Sequence, residues 1–263
     1  MLKKIFFIGA TTLFLFSDIH YAKIEPIKKI TLKSEASGKV IIAKDNLEGK
    51  VVNGLIVKID DSLDRIDLKN TKRSLKLIKD MIKLNSALLP ELKKNMLKKE
   101  RLYKKVSSIN STSISQKDSL YASFVTAKSQ YFSTKEKILN LKNQAVSLEQ
   151  KIASLRDKIN KKNIKVNNKY LYSLDIKKGE FANIGMPLAT LYDTSKAKLT
   201  IFLSDDELKD IDKKSIYLDG KKTNLKFSKI FKIADTKNIS SYKAEIILNP
   251  VKYFSKLVKV EIK

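Results

Sequence analysis

Few side chains in this sequence have the chemistry that an enzyme active site needs. The chain contains no cysteine and one histidine, His20, so thiolate ligands and disulfides are excluded and the commonest general base is nearly absent. Two pairs of adjacent carboxylates, Asp60/Asp61 and Asp205/Asp206, stand at the predicted ends of structural elements, where the dipole of a following helix explains them. We therefore predict no catalytic residue, no cofactor and no metal site, and a protein that is not an enzyme.

The chain is strongly basic, with a formal charge of +26 from 54 lysines and arginines against 28 acidic residues. A charge of this sign raises the question of a nucleic-acid partner. Lysine far outnumbers arginine, as in proteins from AT-rich genomes, and the lysines are spread over the whole length without a recognisable reader motif. We predict no nucleic-acid partner. The alternative is a basic coiled-coil protein that binds DNA, and its affinity for DNA would fall steeply as the salt concentration rises.

Two long predicted helices dominate the elements that could position a functional surface. Apolar residues between 120 and 159 alternate steps of four and three, which places one narrow apolar seam on a helix, as in a coiled coil. A second seam recurs every seven residues from 68 to 103, with less regular intervening positions that include Asn85 and Lys99. The first helix carries Leu68, Leu75, Ile82, Leu89, Met96 and Tyr103 on its seam. The second carries Leu120, Phe124, Ala127, Tyr131, Thr134, Ile138, Leu141, Ala145, Leu148, Ile152, Leu155 and Ile159.

A polar stretch rich in serine, threonine and asparagine separates the two seams, and such a composition favours a turn. We therefore predict an antiparallel helical hairpin over residues 63–163, with its tip at 107–114. In the expected register, Tyr103 lies opposite Leu120 and Leu68 lies opposite Leu155. Pro90 removes a helical hydrogen bond within the first arm, so we expect a bend there, with two separate helices as the alternative.

Short segments rich in branched apolar residues flank the hairpin on both sides. Residues 23–62 and 164–195 share a spacing of glycine, an apolar residue two positions on, and a second glycine. The ends of an antiparallel hairpin lie side by side, so we predict that these segments are two halves of one small β domain that the hairpin interrupts. The residues expected at its structural turns are Gly38, Gly49, Gly54, Gly179, Gly185 and Pro187.

The two ends of the chain have their own signatures. Residues 1–22 combine a positively charged start with a short apolar run and end at Ala22, which predicts a secretory signal peptide; an uncleaved anchor is the alternative. In residues 196–263, Ser204 and Glu207 form a predicted capping box for a short helix. Several alternating strands follow, with a turn signal at Asp219–Gly220, so this segment is predicted to form a small β-barrel.

The order of leader, β half, seamed hairpin, second β half and barrel resembles the periplasmic adaptor proteins, or membrane fusion proteins, of HlyD-like secretion systems and RND efflux pumps. The resemblance covers most of the chain. It implies an elongated α+β fold: a long antiparallel coiled-coil hairpin inserted into a split lipoyl-like β domain, followed by a small β-barrel. Residues 23–62 would be the first lipoyl half with an N-terminal barrel strand, and 164–195 the second half. The hairpin takes the place of the cofactor-bearing turn, so no lipoylation or biotinylation is expected.

The resemblance also implies partners and a place in the cell. The hairpin tip would meet a TolC-like outer-membrane channel, and the barrel would face an inner-membrane transporter of RND or ABC type. The protein would lie in the periplasm, associated with the inner membrane through its partners, and would form a homo-oligomeric ring, for which a hexamer is the suggested size. An Arg–Leu–Ser/Thr pattern at the tip of channel-docking relatives is matched in part, with Leu102 at the arginine position. The expected contacts are Arg101, Lys104, Lys105, Val106, Ser113 and Ser115.

Two other classes of function are open to a chain of this organisation. One is an exported coiled-coil protein with a structural or envelope-binding role outside any pump. The other is a cell-wall hydrolase with a coiled-coil arm, for which the sequence offers no residues suited to the reaction. Association with a transporter and a channel separates the adaptor from both.

Overall fold

The computed structural model describes residues 18–234 and 241–263. Residues 1–17, which make up most of the predicted leader, lie outside the described residues. In chain order the helices and strands are β1 (Asp18–Lys23), β2 (Glu25–Lys33), β3 (Gly38–Ala43), β4 (Val51–Ile59), α1 (Ser62–Ser107), α2 (Ile114–Lys161), β5 (Asn163–Leu174), β6 (Phe181–Ala182), β7 (Pro187–Leu203), α3 (Asp205–Leu208), β8 (Ile216–Leu218), β9 (Lys221–Lys222), β10 (Phe227–Ile230), β11 (Tyr242–Leu248) and β12 (Leu257–Ile262).

The predicted hairpin is present and consists of α1 and α2, joined by a loop over residues 108–113. Every predicted seam position on α2 is buried or half-buried, and the seven-residue row on α1 is half-buried throughout. The ring centroids of Tyr103 and Tyr121 are 5.2 Å apart, which agrees with the expected register to within one residue. The heptad pattern therefore predicted both the helices and the way they pack.

Pro90 lies inside α1, which continues through it as one helix. The alternative of two separate helices is therefore wrong. A proline at this position leaves the carbonyl of Ser86 without its helical partner. Both residues are exposed, so water can satisfy that carbonyl and the helix can continue.

The two β segments that flank the hairpin meet and share one core. Strand β4 pairs with β5, β3 pairs with β6, and β5 pairs with β7, all antiparallel. The amide of Gly179 donates to the carbonyl of Val40, and the amide of Gly185 donates to the carbonyl of Ser34, at 2.9 and 2.8 Å. The buried residues of this core are Ala36, Val40, Val52, Ile56, Val57, Ile59, Ile164, Val166, Leu171, Ile176, Ala182, Leu188, Ala189 and Leu191. The split lipoyl-like domain is thus formed as predicted.

The predicted turn residues of this domain divide into two groups. Gly49, Gly179 and Gly185 lie in turns and have positive φ. Gly38, Gly54 and Pro187 lie in strands instead. Gly38 and Pro187 begin β3 and β7, and Gly54 lies inside β4, next to a shift of register against β5. A glycine inside a strand often marks such a bulge, which explains why the spacing suggested a turn there.

Strands β2 and β7 run through both β regions. β7 extends over 17 residues, and β2 pairs with it from Glu25, opposite Lys198, to Lys33, opposite Pro187. A second core lies around the C-terminal half of β7 and consists of Ala22, Ile24, Ala197, Leu199, Ile201, Leu203, Ile216, Ala244, Ile246, Val258, Val260 and Ile262. Among the described residues its strands belong to two sheets, with the orders β1-β12-β8-β9 and β10-β11-β7. The capping box of Ser204 and Glu207 is present and begins α3.

Residues 18–22, the last part of the predicted leader, lie in β1. Strand β1 pairs along its whole length with β12. Ala22 is 2% exposed in the second core, and His20 bonds through Nε2 to Oε1 of Glu207 at 2.5 Å. Cleavage after Ala22 would leave only Lys23 of this strand. Within residues 18–234 and 241–263, no helix is long and apolar enough to cross a membrane.

Candidate partner-binding tip of the hairpin

The position of the tip depends on how the base of the hairpin is attached to the β domain. Asp61 precedes α1 and is 2% exposed. Its carboxylate accepts hydrogen bonds from Asn163, at the start of β5, and pairs with Arg65, at 2.8 and 2.7 Å respectively. Burial by itself raises the pKa of Asp61, but the hydrogen bonds from Arg65 and Asn163 outweigh it and lower the pKa to about 2. The carboxylate is therefore charged at neutral pH and joins the start of α1 to the strand that follows α2.

A second buried carboxylate joins the two helices directly. Asp64 is 4% exposed and lies 2.6 Å from Nζ of Lys162 and 2.7 Å from Nζ of Lys158. Lys162 also donates to the carbonyl of Asp60, at 2.8 Å. Burial raises the pKa of Asp64, but its hydrogen bonds with Lys158 and Lys162 lower it on balance. We call the residues Asp61, Asp64, Arg65, Lys158, Lys162 and Asn163 the base clamp. It holds both arms against the β domain, so the hairpin projects from a fixed origin.

Each arm is long enough to carry the tip far from the β domain. Helix α1 has 46 residues, which corresponds to about 70 Å at 1.5 Å per residue. At the far end, Ser113 precedes α2 and its side-chain oxygen accepts from the amide of Gln116, at 3.3 Å. Serine is a favoured residue at this position because it satisfies an amide that has no helical partner. The loop is therefore ordered by local capping.

The structure brings the predicted contact residues together around this loop, with different environments. Arg101, Lys104, Lys105 and Ser115 are exposed. Lys104 is engaged with Glu100 one turn away, at 2.7 Å. Val106 is half-buried, and its carbonyl accepts from the amide of Ile109, at 3.1 Å. Val106 and Ser113 thus have structural roles in the turn, whereas Arg101, Lys105 and Ser115 are available to a partner.

Three apolar side chains at the tip were not among the predicted contacts. Ile109 is 43% exposed, Ile114 is 78% exposed, and Leu102 is 44% exposed. Isoleucine is unusual in a serine-rich turn, and this was the signal in the sequence that could have identified two of them. With the nearby basic residues, they form a tip surface that combines apolar contact with positive charge. We call Arg101, Leu102, Lys105, Ile109, Ile114 and Ser115 the tip surface.

The sides of the hairpin also carry exposed apolar residues, outside the seam. On α1 these are Leu77, Met81, Leu84 and Leu88, and on α2 they are Val125, Phe132, Leu139 and Val146. The α2 row repeats every seven residues, so it forms a straight stripe along the coiled coil. Exposed apolar stripes on otherwise charged helices mark surfaces that other helices can cover. Among the described residues there is no group of three or more His, Cys, Asp or Glu that could hold a metal ion.

Comparisons with known proteins show that this chain resembles solved structures in its fold, although its sequence matches none of the known families. No protein-family model and no curated protein matches the chain. Among solved structures, it is similar to MacA from Actinobacillus actinomycetemcomitans, with 15% identity and a TM-score of 0.69 over 94% of this chain and 78% of that one. A MacA-MexA chimera that contains the Pseudomonas aeruginosa MexA α-hairpin domain gives 14% identity and a TM-score of 0.60, over 94% and 81%.

A third likeness covers both chains almost completely. The membrane fusion protein Spr0693 from Streptococcus pneumoniae R6 has 10% identity and a TM-score of 0.54, over 94% of this chain and 99% of that one. In each case the match extends over the hairpin and the β regions on either side, because it covers nearly all of this chain. The resemblance that the sequence indicated is therefore confirmed in the structure: the chain has the fold of the membrane fusion proteins.

Proposed function

We propose that this protein is a non-catalytic periplasmic adaptor that links an inner-membrane transporter to a TolC-like outer-membrane channel. The main observation behind this proposal is the tip surface. It presents exposed Ile109 and Ile114 beside exposed basic residues, at the end of an arm about 70 Å long. Exposed apolar side chains at the end of a rigid helical arm are costly in an isolated protein, and a partner that covers them accounts for their presence.

The chemistry of the tip surface suggests how it would bind. The two isoleucines would enter apolar depressions between helices of the channel, and Arg101 and Lys105 would pair with carboxylates or carbonyl groups at the rim. Substrate would pass the adaptor without reacting. The fold shared with MacA and Spr0693 supports the assignment. The transporter would bind at the opposite end of the molecule, on the β region around the second core.

The exposed apolar rows on the sides of the hairpin support an assembly of several copies. If the rows of α1 and α2 are covered by neighbouring hairpins, the copies form a ring or tube that encloses a path between the membranes. A heterologous contact of this kind closes into a ring when the rotation per copy divides a full turn. We propose a homo-oligomeric ring on this basis, associated with the inner membrane through the transporter.

The proposal is tested by shortening the arm without changing either end. Removal of residues 79–99 from α1 and 124–144 from α2 deletes three heptads from each helix and keeps both seams in phase. The tip surface, the base clamp and the β regions remain, but the arm loses about 31 Å of reach. Affinity purification of the tagged full-length protein from solubilised membranes should recover both a transporter and a channel, and the shortened protein should recover only the transporter.

Two outcomes would contradict the proposal. Recovery of neither a transporter nor a channel with the full-length protein would favour the exported structural coiled coil. Equal recovery of the channel with both proteins would show that the length of the arm has no part in binding it. Circular dichroism of the shortened protein, with helix content reduced in proportion to the deletion, is the control for folding.

A further inference from the structure

An open cleft lies beside the strands that connect the two β cores, far from the tip surface. Its volume is about 990 Å³. It is lined by Lys23 at the end of β1, by much of β2, by Gly49 and Val51, by parts of β5 and β7, and by the segment 251–255. Strand β2 passes from one core to the other here, with Pro26 opposite Ala197 and Lys28 opposite Asp193. A volume of this order is typical of sites for small molecules, which often lie between domains.

The charge of the lining is strongly positive. Lys23, Lys28, Lys29 and Lys252 line the cleft and are exposed. None of the four makes a salt bridge within the described ranges, 18–234 and 241–263, whereas Lys198, at the edge of the cleft, is paired with Glu245 at 3.3 Å. Glu25 is the acidic residue among the described lining residues. Four free ammonium groups around one cleft attract an anion.

The aromatic residues of the lining are as distinctive as the charge. Tyr172 and Tyr192 pack edge to face, with ring centroids 5.5 Å apart. Tyr172 is nevertheless 62% exposed and Tyr253 is 74% exposed, so much of each ring faces the solvent of the cleft. Nζ of Lys252 lies 5.3 Å from the ring centroid of Tyr253, which places positive charge directly beside an exposed aromatic face. Packing of the β cores does not require rings in these positions.

We propose that this cleft is a binding site for a small amphipathic anion, in which a flat apolar ring system carries a carboxylate or sulfonate group. The tyrosine rings supply stacking faces and apolar contact for the ring system. The lysines pair with the anionic group, which lies at the mouth of the cleft among Lys28, Lys29 and Lys252. The site involves neither the tip surface nor the homo-oligomeric ring. Its test is therefore independent of the proposed adaptor function.

The test measures binding of 1-pyrenesulfonate to the purified full-length protein by fluorescence anisotropy, with 1-pyrenemethanol as the neutral analogue. The charge-reversal variant Lys28→Glu/Lys252→Glu should weaken binding of the sulfonate at least about tenfold, since two paired charges become repulsive. The matched control Lys221→Glu/Lys222→Glu changes the net charge equally on exposed strand β9 and should bind like the unaltered protein. The variant Tyr172→Ala/Tyr253→Ala should weaken the sulfonate and the neutral analogue alike.

Four results would overturn the inference. One is the absence of saturable binding of 1-pyrenesulfonate to the unaltered protein. Another is equal affinity of the cleft variants and the β9 control, which would place the bound probe elsewhere. The third is tighter binding of the neutral analogue than of the sulfonate, which would show that the lysines do not contribute to binding. The fourth is displacement of the bound probe by oligodeoxythymidylate but not by 2-naphthoate, which would assign the cleft to single-stranded nucleic acid.

Discussion

The structure of the base clamp leads to a specific prediction for the substitution Asp64→Asn. The change is nearly isosteric but removes the negative charge that faces Lys162 and Lys158. The side chain of Lys162 is 11% exposed, so its ammonium would remain buried and charged, with only neutral acceptors, the carbonyl of Asp60 and the amide oxygen of the asparagine, as partners. Removal of one member of a buried ion pair typically costs 3–5 kcal/mol. Because that carbonyl and the new amide oxygen remain as acceptors, we expect the lower end, a loss of about 3 kcal/mol in the free energy of unfolding.

The matched control is Asp157→Asn, which removes an ion pair near the same end of the hairpin. Asp157 lies 2.6 Å from Lys161, but the two side chains are 62% and 41% exposed, so water replaces the lost interaction and the unfolding midpoint should hardly change. Urea unfolding followed by circular dichroism at 222 nm compares the two variants. Equal midpoints for Asp64→Asn and Asp157→Asn would show that the buried ion pair does not stabilise the base of the hairpin.

A double replacement separates the loss of the pair from a simple packing defect. In Asp64→Leu/Lys162→Met both charges are gone, and apolar side chains of similar size can fill the space. Replacement of a whole buried ion pair in this way is often neutral or stabilising. The double variant should therefore be more stable than Asp64→Asn. A double variant that is less stable than the single one would mean that the geometry of the clamp, rather than its charge balance, is what the fold requires.

The same clamp predicts a loss of stability in acid. The pKa of Asp61 is lowered to about 2 in the folded protein, whereas an aspartate in the unfolded chain titrates near its ordinary value of about 3.9. Its contribution is therefore complete above about pH 4 and is lost as the pH falls towards 2. With screening at the exposed guanidinium of Arg65, we expect this contribution to be about 1–2 kcal/mol. Asp61→Asn should lose less stability between pH 5 and pH 2.5 than the unaltered protein does, and an identical pH profile would contradict this assignment.

Other features lead to three further predictions. Leu141→Ala, on the buried seam, should cost about 2–4 kcal/mol of stability, whereas Leu139→Ala, on the exposed row, should leave the unfolding midpoint nearly unchanged; equal effects would contradict the observed packing of α2. Gly38→Ala should destabilise the lipoyl-like core by about 1–3 kcal/mol, because the new Cβ would lie 2.8 Å from Ile59 at a φ of +150°; Gly54 also has a positive φ, +105°, but open space around it, so Gly54→Ala should cost less. The mass of the protein isolated from cells should include all of β1, and a chain that begins at residue 23 would contradict its place in the sheet.

The hairpin could be predicted from the sequence because its determinants are local. A residue on the seam of α2, such as Leu141 or Ile152, is recognisable from neighbours three and four positions away. The same holds for the capping box of Ser204 and Glu207. The turn signal at Asp219–Gly220 is local as well, and this turn joins β8 to β9.

The features that sequence reasoning missed depend on contacts between distant parts of the chain. Asp64 and Lys162 are 98 positions apart, and nothing in either neighbourhood signals the pair. Strand β5 was not recognised as one strand because polar residues such as Asn167 and Asn168 interrupt its apolar pattern. The pairing of β1 with β12 was not predicted either, because it is decided by residues at the other end of the chain.

At the tip, the position of the loop was predicted from the sequence, but which of its side chains are exposed was not. Val106 and Ser113 matched a spacing known from channel-docking proteins, yet both are used within the turn itself. Ile109 and Ile114 lack such a pattern, and their exposure follows from the geometry of a tight loop that has no interior. The basic residues Arg101 and Lys105 remain candidate contacts.

The central claim is that the tip surface binds an outer-membrane channel while the β region at the other end faces the transporter. Its most direct test is photo-crosslinking in living cells, with p-benzoylphenylalanine incorporated singly at Arg101, at Ile114 and, as the positional control, at Lys221 on β9. Mass spectrometry then identifies the protein joined to each position. We expect adducts with an outer-membrane channel from both tip positions and none with that channel from position 221. Channel adducts from position 221, together with none from the tip, would contradict the claim.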